Sequence, residues 1–184
     1  TKSYPKDTVD FVSRSMLTAY TKNPEIPMLF FVCDRITAKS PDFKKTFVLQ
    51  APADAPTVDG KTVTLTAGEG KLTLTSLLGG DRIEAIGGSP ETNAMIRGNQ
   101  CMDVKTPYWG RVEISTQNSS KNDVQLNVMY VTDNSNKTLY SATAINGANI
   151  AGSIIGNTVA MFVEDTTEYA GNVTFSTAGA GSSL

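Results

Sequence analysis

The residues best placed to do chemistry are Tyr108-Trp109-Gly110-Arg111, which follow an irregular polar stretch holding Glu91, Arg97, Asn99, Gln100 and Asp103. An indole can stack on a sugar ring, and a guanidinium can pair with a carboxylate or sulfate. Tyr108, Trp109, Arg111 and Arg97 are therefore candidate substrate-binding residues for a glycan. The same residue types also fit a core tryptophan opening a strand, with Arg111 turned to solvent. Asp34-Arg35 reads either as a charged pair at a groove or as a strand end with a structural salt bridge. Lys44 and Lys45 are adjacent on an extended segment, so they point to opposite faces and do not make one basic patch. Edge protection is the plainer role for them.

Catalysis has little to work with. There is no histidine, which removes the usual general base near neutral pH and the commonest metal ligand. A Ser/His or Cys/His nucleophile is excluded with it. Paired carboxylates could hydrolyse a sugar bond. Glu84, Glu91, Glu113, Asp103 and Asp123 are available, but no spacing marks out a pair. No catalytic residue, metal ligand or cofactor is assigned. Cys33 and Cys101 fit no zinc spacing; they could pair as one disulfide, or Cys33 could be a buried inert thiol. Asp133-Asn134-Ser135-Asn136 looks like the opening of a calcium loop but lacks its glycine and distant glutamate, so a plain turn is expected. Three Asn-X-Ser/Thr sequons, at Asn118, Asn136 and Asn172, are what a chain rich in these residues yields by chance.

The net charge of −2 and the pI near 5.1 give no footprint for nucleic acid. No apolar run approaches the roughly 18 residues of a membrane span. The chain opens Thr-Lys-Ser-Tyr without an apolar leader, and a processed, trimmed or domain-only chain is expected.

The elements that must position these groups read as strands. Residues 28–33 are six apolar residues in a row, too short for a typical helix and suited to a strand buried on both faces. Asp34 and Arg35 interrupt that run. Ser-Pro-Asp at 40–42 is a turn, and residues 43–50 alternate, with Phe43, Lys45, Phe47 and Leu49 on one face. The two strands are expected to form a sheet core together. Asp59-Gly60 marks a hairpin. Further strands are expected at 9–17, 61–66, 71–78, 82–86, 109–114, 124–130, 139–145, 150–155, 159–163 and 173–175. Turn signals recur about every 8–12 residues, with no sustained helical period, which is the pattern of an all-β sandwich or barrel. One domain over 1–177 and a flexible tail at 178–184 are expected.

LFFVCDRITA (29–38) followed by FKKTFVLQ (43–50) resembles the "VxxDRI…KKTWLLH" stretch of the heparinase II/III-like polysaccharide lyases, in their C-terminal β-sandwich. GKLTLTSLL (70–78) resembles the family's "GKLxxxTLLP". IGGSP (86–90) with YWGRVEIS (108–115) resembles "GGxG…WRVEVSP", and NDVQLNVMYV (122–131) resembles "DxFLHVLxV". The segments fall in the family's order. Phe47 stands where the family often has Trp, Gln50 and Asn127 where it often has His, and Gly79 where a proline follows the Leu-Leu pair.

The resemblance implies an all-β, antiparallel β-sandwich of many short strands, from a secreted or periplasmic bacterial protein. In such lyases a helical α/α-toroid supplies most catalytic groups, and nothing in this chain can form it. It implies no catalysis by this chain alone. The sandwich would pack against the toroid and wall the cleft of an acidic polysaccharide that is cleaved by β-elimination. Neither a nucleic acid nor a membrane is expected as partner. A stand-alone carbohydrate-binding module and a purely structural interaction domain are the alternatives. The first predicts glycan affinity, the second an exposed apolar face.

Overall fold

The computed structural model describes residues 5–51, 54–89, 109–147 and 149–163. Twelve strands are present among the described residues: β1 (Val9–Tyr20), β2 (Met28–Ala38), β3 (Thr46–Gln50), β4 (Thr57–Asp59), β5 (Thr62–Ala67), β6 (Gly70–Leu78), β7 (Arg82–Ile86), β8 (Arg111–Ser115), β9 (Asn122–Asp133), β10 (Ala142–Asn146), β11 (Ile150–Ile155) and β12 (Thr158–Val163). All pairings are antiparallel. Among the described residues, no helix is long and apolar enough to cross a membrane.

The strands form a central six-stranded sheet, in the order β1-β2-β9-β6-β5-β4, and two three-stranded sheets, β10-β11-β12 and β3-β8-β7. Alternation along β2 shows how they stack. Leu29, Phe31 and Cys33 join a core with Ala151, Ile155, Ala160 and Phe162 of β11 and β12. Val32, between them and so on the opposite face, joins a second core with Phe47, Val112 and Ile114 of β3 and β8. The central sheet is thus covered on both faces, which is why 28–33 had to be apolar at successive positions. Complete burial of a side chain such as Leu29 or Phe31 contributes about 1.5–3 kcal/mol. Cys33 is a buried free thiol, and burial pushes its pKa up to about 11. Cys101 lies outside the described residues.

Turn chemistry joins the elements as its residues dictate. Asp59-Gly60 links β4 to β5, with Gly60 at φ 55°, a conformation that suits a residue without Cβ. The all-β reading holds, with differences. Three strands (β1, β2, β9) run 11 or 12 residues; β2 and β9, in the middle of a doubly covered sheet, gain burial along most of their length, and β1 follows β2 along its edge. β2 and β3 do not pair. β2 lies between β1 and β9, and β3 pairs with β8 in another sheet. Asp34 and Arg35 do not end β2; both are buried within it. The tenth strand starts at Ala142, leaving Leu139 exposed, while Tyr140 meets Tyr130 edge to face at 5.5 Å. The strand expected at 173–175 and the tail at 178–184 lie outside the described residues.

Candidate functional site

Of the four expected site residues, Trp109 and Arg111 lie among the described ones, at the start of β8. Trp109 is half-buried just ahead of the strand. A Cβ added at Gly87 would stand 3.0 Å from its Cε3 and 2.6 Å from Gly110 N, so the ring rests on bare backbone where β7 and β8 converge. Packing thus accounts for part of this indole, and its remaining surface faces out. Arg111 opens β8 and donates from Nε to Glu113 Oε1 at 2.7 Å. Tyr108 and Arg97 lie outside the described residues.

Strand geometry extends the cluster. Val112 and Ile114 point into the core, so Arg111 and Glu113 share the outer face of the β3-β8-β7 sheet. β7 places Glu84 directly opposite Glu113. Arg82 bonds Glu84 at 2.6 Å, and Lys44, just before β3, stands 3.1 Å from Glu113 and 3.9 Å from Glu84. Among the described residues, three cations and two carboxylates thus form one ladder with a net charge of +1. The hydrogen bond from Arg111, more than the neighbouring Lys44, holds the Glu113 carboxyl below its ordinary range. Glu113 is therefore a fixed charge and a poor proton donor, although it faces a second carboxylate. Period-two charges in Arg82/Glu84 and Arg111/Glu113 were the available sign of this ladder; the cross-strand register that joins them is not a local property.

At the far end of β8, about 14 Å away at strand spacing, a cleft of about 730 Å³ is lined by Phe43, Lys44, Arg82, Ser115, Gln117 and Asn118, among others. Phe43 is 41% exposed there. Aromatic surface, amides and cations are a combination that suits a sugar with anionic substituents.

Other sequence candidates are structural. Asp34 accepts both Arg14 Nε and Nη2 at 2.6 Å, and Arg14 lies 5.1 Å over the Phe47 ring. This is the structural salt bridge, and it is not at an exposed strand end. Lys45 does not protect an edge. It is buried 2.8 Å from Asp123, and it also donates to the Ser120 carbonyl. Its partner lies in a distant strand, but its place on the Phe47/Leu49 face was itself a sign of burial. Asn127 is completely buried on β9 with neither amide atom bonded, while Gln50 ends β3 in the open. The Asp133–Asn136 segment is a turn closed by Asn136 N to Asp133 O at 3.0 Å. Tyr140 donates to Glu25, and that bond raises its pKa above the ordinary tyrosine value, opposite to what a phenolate base requires. Among the described residues, no group of three or more Cys, Asp or Glu could hold a metal ion.

The class defined by this architecture is an antiparallel β-sandwich with a charged outer sheet face. Solved structures share the fold. The heparan sulfate lyase HepC of Pedobacter heparinus superposes with a TM-score of 0.50 at 13% identity, over 88% of this chain and 28% of the lyase. A heparinase III matches with a TM-score of 0.50 at 13% identity, over 73% of this chain and 21% of that one. A mutant of the Pedobacter enzyme matches at 0.48 and 14% identity, over 76% and 23%. The chain therefore spans less than a third of the length of these lyases. No protein-family model and no curated protein matches the sequence.

Proposed function

We propose that this chain is the β-sandwich of a heparinase II/III-like protein, that it walls an acidic glycan cleft, and that it is not catalytic alone. The observation that carries this reading is the fold shared with a heparan sulfate lyase over 88% of this chain but only 28% of that enzyme. The remainder of such a lyase leaves room for the helical domain that the sequence motifs imply. β-Elimination needs a base at the uronate C5 proton and a group that neutralises the carboxylate. The outer ladder offers cations but no poised base. Its cations are largely balanced by Glu84 and Glu113, which suits a wall that orients an anionic chain better than a trap that binds it tightly. A secreted or periplasmic location belongs to the same proposal.

The structural reading has its own support in β1. Among the described residues β1 pairs on one side only, and on the face it shares with Val32 and Met28 it exposes Met16 and Tyr20 at 64% and 85%. That is apolar surface for a neighbouring domain, and it is compatible with the wall role.

The test runs the chain against heparin, heparan sulfate, hyaluronan, chondroitin and alginate, reading ultraviolet absorbance of unsaturated uronate and binding in the same samples. The expected result is no absorbance rise, with saturable binding that weakens as salt increases and that drops in Trp109→Ala and Arg111→Ala. A rise would overturn the claim that catalysis lies elsewhere. Absence of binding to every glycan would overturn the wall and leave a structural domain.

A further inference from the structure

Among the described residues, Arg35 is a buried cation without a carboxylate partner. It is 8% exposed. Its Nη2 donates to the Phe162 carbonyl at 2.9 Å, and its Nε has no hydrogen-bond partner. The ion pairs among the described residues do not include it. Its neighbour Asp34 points to the other face of the sheet and is held by Arg14. A guanidinium taken out of water without a counter-ion is costly, and a bound anion would offset that cost.

Arg35 also lines an opening. Where β2 and β9 meet the β10–β11 turn, a cleft of about 550 Å³ is bordered by Arg35, Thr37, Asn122, Asp123, Asn146 and Gly147. Asp123 also borders the cleft, but the register turns its side chain to the opposite face of the sheet, where Lys45 stands 2.8 Å from its Oδ2. The Lys45–Asp123 pair is balanced within itself, which leaves the Arg35 guanidinium as the uncompensated charge among the described lining residues. Asn122 and Asn146 bring amide donors to its rim. We propose that this cleft binds a small oxyanion, a carboxylate or a sulfate, against the Arg35 guanidinium.

The cleft belongs to the side of the central sheet covered by β10–β12, whereas Trp109 and Arg111 lie on the β3-β8-β7 sheet. The proposal therefore stands or falls apart from the glycan wall. The anion could be free in solution or a substituent of an acidic sugar. The shared chemistry is an oxyanion that meets a planar guanidinium fork.

The experiment titrates the full nitrogen-15-labelled chain with sodium sulfate, sodium acetate and a sulfated uronate disaccharide, with ionic strength held constant by sodium chloride. The expected result is a saturable shift of the Arg35 Nε–H and of the Thr37, Asn122 and Gly147 amides. Arg35→Lys, which keeps the charge and loses the fork, should weaken binding by about tenfold. Saturation by the simple ions alone supports a free-anion site. Saturation by the disaccharide at the same residues supports a sugar substituent. The proposal is overturned if nothing saturates, or if the shifts appear only around Lys44, Arg82 and Arg111.

Discussion

Lys44 and Lys45 are neighbours that serve opposite sides of one sheet. Lys45 lies on the inner side, where its side chain and that of Asp123 are 6% and 8% exposed. Lys44 lies on the outer side, about half exposed, shared between Glu113 and Glu84. The inner side also holds Gln125, whose Nε2 donates to the Lys45 carbonyl at 3.2 Å, and the buried Asp34 carboxylate, whose partner Arg14 reaches in from the half-exposed edge strand. Similar charges therefore do different work. An ion pair removed from water has no substitute partner, so it fixes how the sheets stack. An ion pair in water exchanges easily with solvent or ligand. The inner Lys45–Asp123 pair holds the structure, and the outer ladder stays open to solvent.

The largest test removes one inner partner. Asp123→Ala leaves the Lys45 ammonium buried and should cost about 3–5 kcal/mol of folding stability, read by urea unfolding. Replacing both residues, as Lys45→Met with Asp123→Leu, should recover most of that loss. A cost below about 1 kcal/mol for the single change would mean that water reaches Lys45, and the distinction between inner and outer pairs would collapse.

The next test probes how tightly the inner side is packed. A Cβ at Gly80 would collide with Ser76 Oγ and stand 2.6 Å from Ile114 Cγ2. Ser76 and Ile114 are both completely or almost completely buried. Gly80→Ala should therefore destabilise by about 1–3 kcal/mol through overpacking. An unchanged urea midpoint would show slack between β6 and β8 where the comparison needs close contact.

The contrast between the two lysines was half legible in the sequence. Alternation set Lys45 on the face of Phe47 and Leu49, and a lysine on an apolar face asks for a buried partner. Which carboxylate answers depends on β9 crossing the sheet, and no local pattern carries that. The unbroken apolar run at 28–33 did disclose a strand covered on both faces, because two buried faces require apolar residues at every position. Asp34-Arg35 misled for the converse reason. Two charges look like an exit from the core until Arg14 from β1 and the Phe162 carbonyl from β12 are in place. At the candidate site, Trp109 and Arg111 were visible as residue types. The ladder they adjoin was not, because Glu84 and Glu113 become neighbours only through strand register.

The smallest effect on stability is expected in the ladder, and there the comparison can be sharpened most. Glu113→Gln should cost less than about 1 kcal/mol near neutral pH. The folded protein holds the Glu113 carboxyl below its ordinary value of 4.5, chiefly through Arg111. Its stabilisation is therefore fully present above pH 4.5 and is lost as pH falls through the lower folded value. The stability gap between Glu113→Gln and the parent chain should close in that acid window and stay constant above it. Glycan binding should move the other way. Removing one carboxylate makes the ladder one unit more positive and takes away the Glu113 hold on Arg111 and Lys44, so affinity for a sulfated glycan should rise by about two- to fivefold at low salt, with the gain shrinking as salt is added. An inner-pair substitution that preserves folding should leave that affinity unchanged. If Glu113→Gln instead weakens binding, the carboxylate holds Arg111 in its binding pose, and the outer face is a preorganised site whose charges are as fixed as the inner ones.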